Sequence, residues 1–90
     1  MSLVDDFKKA SSDVQKLSKK PDNETLLRLY ALFKQASIGD NNGKRPGMLD
    51  VVGRKKFDAW AELSGTSEEE AKKLYIEYVQ GLIKKDKTRG

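Results

Sequence analysis

Neither cysteine nor histidine occurs in this 90-residue chain, proline occurs twice and tryptophan once. Without cysteine there is no disulfide framework and no thiolate metal site, and nothing indicates an oxidising compartment. Without histidine the commonest general base is gone, and the two absences together remove the usual zinc ligands and the usual activated nucleophile. An enzyme built on this sequence would have to run on Asp, Glu, Lys, Tyr or Ser alone. Long apolar runs are missing too. The opening MSLVDDFKKASSDV carries acids early, unlike a signal peptide or a membrane-spanning segment. The expectation is a soluble cytoplasmic protein without metal or cofactor.

What is present is charge. Hydrophobic residues make up 37% and charged residues 36%, and mean hydropathy is -0.73, a balance that suits short amphipathic helices with charged outer faces better than a sheet sandwich. Residues 1–90 have room for one domain, near the size where an unaided core suffices and burying somewhat over ~60% of the unfolded surface. The net charge of +4 invites a nucleic-acid reading, so the location of the excess matters. Between Ser37 and Trp60, Lys44, Arg45, Arg54, Lys55 and Lys56 outnumber Asp40, Asp50 and Asp58, whereas the last third of the chain balances. An excess gathered around the middle, with a second at the N-terminal end, fits a compact anion better than a polymer track.

Four helices are predicted. Leu3, Phe7, Ala10, Val14 and Leu17 recur at helical spacing, predicting a helix from about Leu3 to about Lys19 capped by Ser2. Pro21 ends it, and Asp22 or Asn23 caps a second, from about Asp22 to Ser37, with Leu26, Leu27, Leu29, Leu32 and Ala36 apolar. A short third helix runs from about Gly53 to Leu63 and is closed by Gly65. Thr66 with Glu69, or Ser67 with Glu70, forms a capping box for a fourth that reaches about Lys85, after which KDKTRG frays.

The stretch between the second and third helices, IGDNNGKRPGMLDV, imitates two motifs and satisfies neither. Asp40 and Asn42 would open a calcium loop, but Arg45 stands where its tight-turn glycine belongs and Val51 where its bidentate glutamate belongs. Gly39 and Gly43-Lys44 are one residue short of a phosphate loop, and Arg45 replaces the metal-binding hydroxyl. An ordered crossover is expected instead, with Met48 and Leu49 as its anchors to the core.

On either side of that crossover, rings and ammonium groups pair at helical spacing. Tyr30, Phe33 and Lys34 share one face of the second helix, and Lys56 and Trp60 pair at i, i+4 on the third. Two readings stand: core rings beside solvated charges, or one ligand site in which ammonium groups hold a phosphate and an aromatic face stacks on a heterocycle.

The run YALFKQASIGD, followed by RPGMLD, RKKFDAWAEL, GTSEEEA and LYIEYV, resembles the acyl-CoA-binding protein family in order and spacing over nearly the whole chain. The resemblance implies an all-α four-helix bundle with a long loop between helices 2 and 3, binding medium- to long-chain fatty acyl-CoA esters non-covalently as a carrier and pool-former. It implies ligand contacts at Tyr30, Lys34, Lys56 and Tyr75, with Ala31, Leu32 and Phe33 along the same surface. Lys34 and Lys56 would meet the 3′-phosphate of coenzyme A, a group of about -1.5 to -2 charge. Tyr30 would add a ring and a hydroxyl there, and Tyr75 would help position the nucleotide. Phe33 stands where tyrosine is frequent in the family. Gln15 stands where several members have lysine, with Lys16 or Arg54 as the compensating charge. Phe7, Leu17, Leu27 and Leu82 are the apolar residues available to the acyl chain. A monomer is implied, with transient contacts to membranes or acyl-CoA-using enzymes and none to nucleic acid.

Two other functions compete. A basic nucleic-acid-binding module would explain the charge, but no recognition-helix motif is present. An acyl-CoA hydrolase or transferase would need a nucleophile and base that this composition does not supply.

Overall fold

The computed structural model describes residues 2–88, which form α1 (Leu3–Asp13), a 3-10 turn (Val14–Lys16), α2 (Asn23–Ser37), α3 (Val51–Ala61) and α4 (Glu68–Thr88). Among the described residues there is no strand, and a long connection separates α2 from α3. Each helix starts where a short polar side chain takes up a free backbone N–H. Ser2 Oγ accepts from Asp5 at 3.1 Å, Asp22 Oδ1 from Thr25 at 2.8 Å, Asp50 Oδ1 from Gly53 at 2.9 Å and Ser67 Oγ from Glu70 at 3.0 Å. The fourth helix thus uses Ser67, not Thr66, as its cap. The third begins two residues earlier than the spacing suggested, because Asp50 captures its first turn.

α4 is the central element, packing on both α1 and α2, while α3 packs on α2 alone. The core consists of Phe7 and Ala10 from α1, Leu29, Leu32 and Ala36 from α2, and Ala71, Tyr75 and Val79 from α4. Ala36 and Ala71 are both 0% exposed; with only a methyl group to place between the backbones, α2 and α4 can approach closely. Phe7, Phe33 and Tyr75 then join the three helices. Phe7 stacks on Phe33 with centroids 5.3 Å apart, and Tyr75 meets Phe7 edge-on at 5.1 Å and Phe33 at 5.9 Å. The molecule is a slab of 41 × 29 × 16 Å, about two helices thick given typical axis separations of about 8–10 Å.

Three expectations are corrected. The first helix stops at Asp13 and, after the 3-10 turn, the chain goes extended at Leu17 instead of continuing to Lys19. The backbone N–H of Ser18 reaches Asp86 Oδ2 at 3.2 Å and its hydroxyl bonds the other carboxylate oxygen, so a tertiary contact replaces the next helical turn. That same contact holds the end of α4, which continues to Thr88 where fraying from Lys85 was expected; Arg89 and Gly90 lie outside the described residues. Finally, Met48 and Leu49 do not anchor the crossover. They are 79% and 100% exposed, because they occupy the two central positions of a turn closed by the Asp50 N–H on Gly47 O at 3.0 Å.

No helix among the described residues is long and apolar enough to cross a membrane, and no cluster of three or more acidic, histidine or cysteine side chains there could hold a metal ion.

Candidate functional site

Because α3 has only α2 beneath it, its position depends on polar contacts. Gln35 lies in the apolar stripe of α2 and is 0% exposed, so its amide must be fully paired or costly. Its Nε2 donates to Thr66 O at 2.7 Å and to Asp40 Oδ1 at 2.9 Å, while its Oε1 accepts from Trp60 Nε1 at 3.1 Å. Trp60 Nε1 also donates to Gly39 O at 2.9 Å, and Asp40 Oδ1 accepts the Gly65 N–H at 2.9 Å. Gly39 and Gly65 both adopt positive φ, +94° and +92°, which lets the chain turn back sharply enough to present these groups. The Gly65 N–H and the Gln35 amide hold the Asp40 carboxyl below its usual range. Farther along, Arg45 grips Asp58 through two bonds of 2.9 and 2.8 Å, which keeps that carboxyl low, and Arg54 Nε donates to Pro46 O at 2.9 Å. The crossover is therefore stitched to α3, and α3 to α2.

This clamp brings the two ring-and-ammonium pairs together. Lys34 Nζ from α2 lies 5.8 Å from the centroids of both Tyr30 and Trp60, and Lys56 Nζ from α3 lies 5.3 Å from that of Tyr30. Two ammonium groups from different helices thus flank one phenol ring. Neither has a carboxylate within 4.0 Å among the described residues. Two cations without a carboxylate partner beside one ring are an arrangement to which an anion is complementary.

Next to it, Asn23, Leu26, Leu27, Val52, Lys55 and Lys56 line a cleft of about 230 Å³ between α2 and α3. Lys56 belongs to both features. Leu27 was among the apolar residues named from the sequence; Val52 was not, and Lys55 entered only as part of the central charge excess, since nothing in a linear pattern says that α3 lies beside Leu27.

The other candidates lie elsewhere. Tyr75 and Phe33 sit in the ring cluster with Phe7. Tyr75 is 3% exposed and burial pushes its phenol up, yet its hydroxyl has no partner among the described residues and is not sealed from water. Phe33 is 40% exposed. Ala31 and Leu32 are buried and act by packing. Gln15 is exposed on the 3-10 turn, and no hydrogen bond or ring contact joins it to Tyr30, Lys34 or Lys56. It borders a separate cleft of about 420 Å³ whose lining shares Leu26 with the first. Of the other apolar residues named, Phe7 is in the core, while Leu17 and Leu82 line a groove beside Lys19, Lys20 and Lys85.

Residues 4–79 match the family model described as acyl-CoA-binding protein. The chain is 51% identical over 84 residues to an acyl-CoA-binding protein homolog of Manduca sexta, covering 92% of this chain and 93% of that one. It is 46% identical over 83 residues to the homolog of Drosophila melanogaster, covering 92% and 96%. Its fold superposes on the crystal structure of Oryza sativa acyl-CoA-binding protein 2 with a TM-score of 0.94, 34% identity and 99% coverage of both chains.

Proposed function

Since the chain belongs to the acyl-CoA-binding protein family, we propose that residues 1–90 act as one domain that binds medium- to long-chain fatty acyl-CoA non-covalently, as a cytoplasmic monomeric carrier and pool-former. The observation that carries this reading is the double role of Lys56, which flanks the Tyr30 ring with Lys34 and also lines the apolar cleft. A ligand with a polyphosphate head and a long apolar tail needs that adjacency. In the proposed complex, Lys34 and Lys56 neutralise the 3′-phosphate, and Tyr30 offers its ring and hydroxyl beside them. The Tyr75 hydroxyl, free of internal partners, takes a hydrogen bond from the same ligand. The acyl chain enters along Leu26, Leu27 and Val52, where each buried methylene contributes about 0.8 kcal/mol before ordering costs. Long chains therefore outcompete acetyl. Loading and unloading bring the carrier into transient contact with membranes and with acyl-CoA-using enzymes.

Isothermal titration with palmitoyl-CoA, free coenzyme A and palmitate tests the two-part site. The ester should bind one-to-one and far more tightly than either half. Lys34→Ala and Lys56→Ala should each weaken it about 10- to 100-fold, the value of a hydrogen bond to a charged group. Equal affinity for free palmitate, or unchanged affinity in both variants, would refute the phosphate assignment.

A further inference from the structure

Four of the seven large apolar residues that stand exposed among the described residues lie in one short run. Met48, Leu49, Val51 and Val52 are 79%, 100%, 57% and 63% exposed, although only Asp50 interrupts them. The ridge is not loose chain. Its turn is closed by Asp50 N on Gly47 O, Asp50 caps α3, Arg54 bonds Pro46 O, and Arg45 is locked to Asp58. Four braces thus hold large apolar side chains out in water, at a place where a turn of polar residues would satisfy the same backbone. Exposed apolar surface that is rigid and contiguous marks an interaction site.

We propose that this ridge docks on the interface of anionic phospholipid bilayers, setting the mouth of the α2–α3 cleft against lipid. Charge and position select that partner. Lys44, four residues before Met48, and Lys55, one helical turn after Val51, are both exposed and without a carboxylate within 4.0 Å among the described residues. On α3, Lys55 lies one turn from Val51 and Val52, on the same side. Asp50, the one acid within the ridge, points its carboxylate at the amino end of α3, where the helix offsets its charge. Apolar side chains rimmed by unpaired lysines match the acyl boundary and the anionic headgroups of a bilayer. Val52 belongs to both the ridge and the cleft, so a chain leaving the cleft meets lipid without crossing open water. This purpose rests on the acyl-CoA reading; the docking itself does not.

Flotation with vesicles of phosphatidylcholine, alone and mixed with phosphatidylserine, tests the ridge on the full chain. The wild type should float with the mixed vesicles, less at high salt. The double variant Met48→Ser, Leu49→Ser should bind more weakly by about tenfold or more, because each such side chain fully removed from water is worth roughly a factor of 10 to 100. It should still bind palmitoyl-CoA normally in lipid-free buffer. Lys44→Glu with Lys55→Glu should abolish the preference for phosphatidylserine. Leu49→Trp should add an emission that shifts to the blue on vesicles and is quenched by brominated lipid, with the wild-type Trp60 signal as blank. No flotation of the wild type, or equal flotation of the serine variant, overturns the inference. So does self-association in sedimentation equilibrium that the serine variant abolishes, which would assign the ridge to a second copy. Loss of palmitoyl-CoA binding by that variant without lipid would assign the ridge to the ligand site. Failure of the acyl-CoA reading would show separately, in the lipid-free titration of the wild type.

Discussion

Trp60 and Gln35 illustrate how single side chains set this architecture. The indole N–H serves two acceptors, Gln35 Oε1 and Gly39 O, and the indole ring faces the Lys34 ammonium. Trp60→Phe keeps a ring and removes the donor, leaving a fully buried amide oxygen unpaired. A loss of about 1–3 kcal/mol of stability is expected, read as a lower urea midpoint with little change in slope. Asp40 shows the same network from its charged end. Its folded pKa is lowered from 3.8 by the Gly65 N–H first and the Gln35 amide second. The stability it contributes is therefore complete above the unfolded value and lost as pH falls through the folded one. Urea midpoints of wild type and Asp40→Asn should differ by a constant amount from neutral pH down to about pH 4. Below that the gap should close, and a gap that persisted under strong acid would contradict the assignment.

At the scale of elements, the two ends of the bundle are held differently. The α1–α2 connection is tied to the last turn of α4 through Ser18 and Asp86, one chain-distant contact that shortens one helix and lengthens another. Asp86→Ala should release both, and faster amide exchange in the last turn of α4 and around Ser18 should show it, with a loss on the order of 1 kcal/mol. Exchange confined to only one of the two segments would mean that they are not coupled. α3 is the other exception. It contributes no fully buried side chain and leans on α2 through the Gln35–Trp60 clamp, so it should open as a local unit while α2 and α4 remain closed.

The whole molecule is a flat bundle in which α1, α2 and α4 share one core and α3 packs on α2 alone. That division makes a prediction about linkage. Palmitoyl-CoA at 100 times its dissociation constant should add about 2.7 kcal/mol to global stability. The largest relative gain in exchange protection should fall in α3, because the site we propose spans Lys34 on α2 and Lys56 on α3. Equal protection gains along all four helices would indicate a ligand seated in the main core instead.

Much of this was legible in the residues themselves. Ser2 announces one helix start, and the pairs Asp22 or Asn23 and Thr66 or Ser67 announce two more to within a residue, because a cap bond spans three residues and needs nothing beyond its own segment. The apolar stripes that α1, α2 and α4 bury follow from a 3.6-residue period, and the missing histidine and cysteine remove thiolate and imidazole chemistry by inventory alone. The order and spacing of YALFKQASIGD, RPGMLD and RKKFDAW were enough to reveal the family. Other features are settled only between distant segments. Met48 and Leu49 look like core residues by composition, but the Gly47–Asp50 turn decides which way they face. Nothing in the linear pattern singles out Gln35, and only the arrival of Trp60 and Thr66 makes it the clamp. Lys34 and Lys56 were each recognisable as cations beside rings, yet their convergence on Tyr30 and the cleft between Leu27 and Val52 depend on how α3 lies across α2. Capping and periodicity act over one helical turn; the direction in which one helix crosses another is set by side chains packing across the whole fold, and that tertiary geometry is what assembles the candidate site.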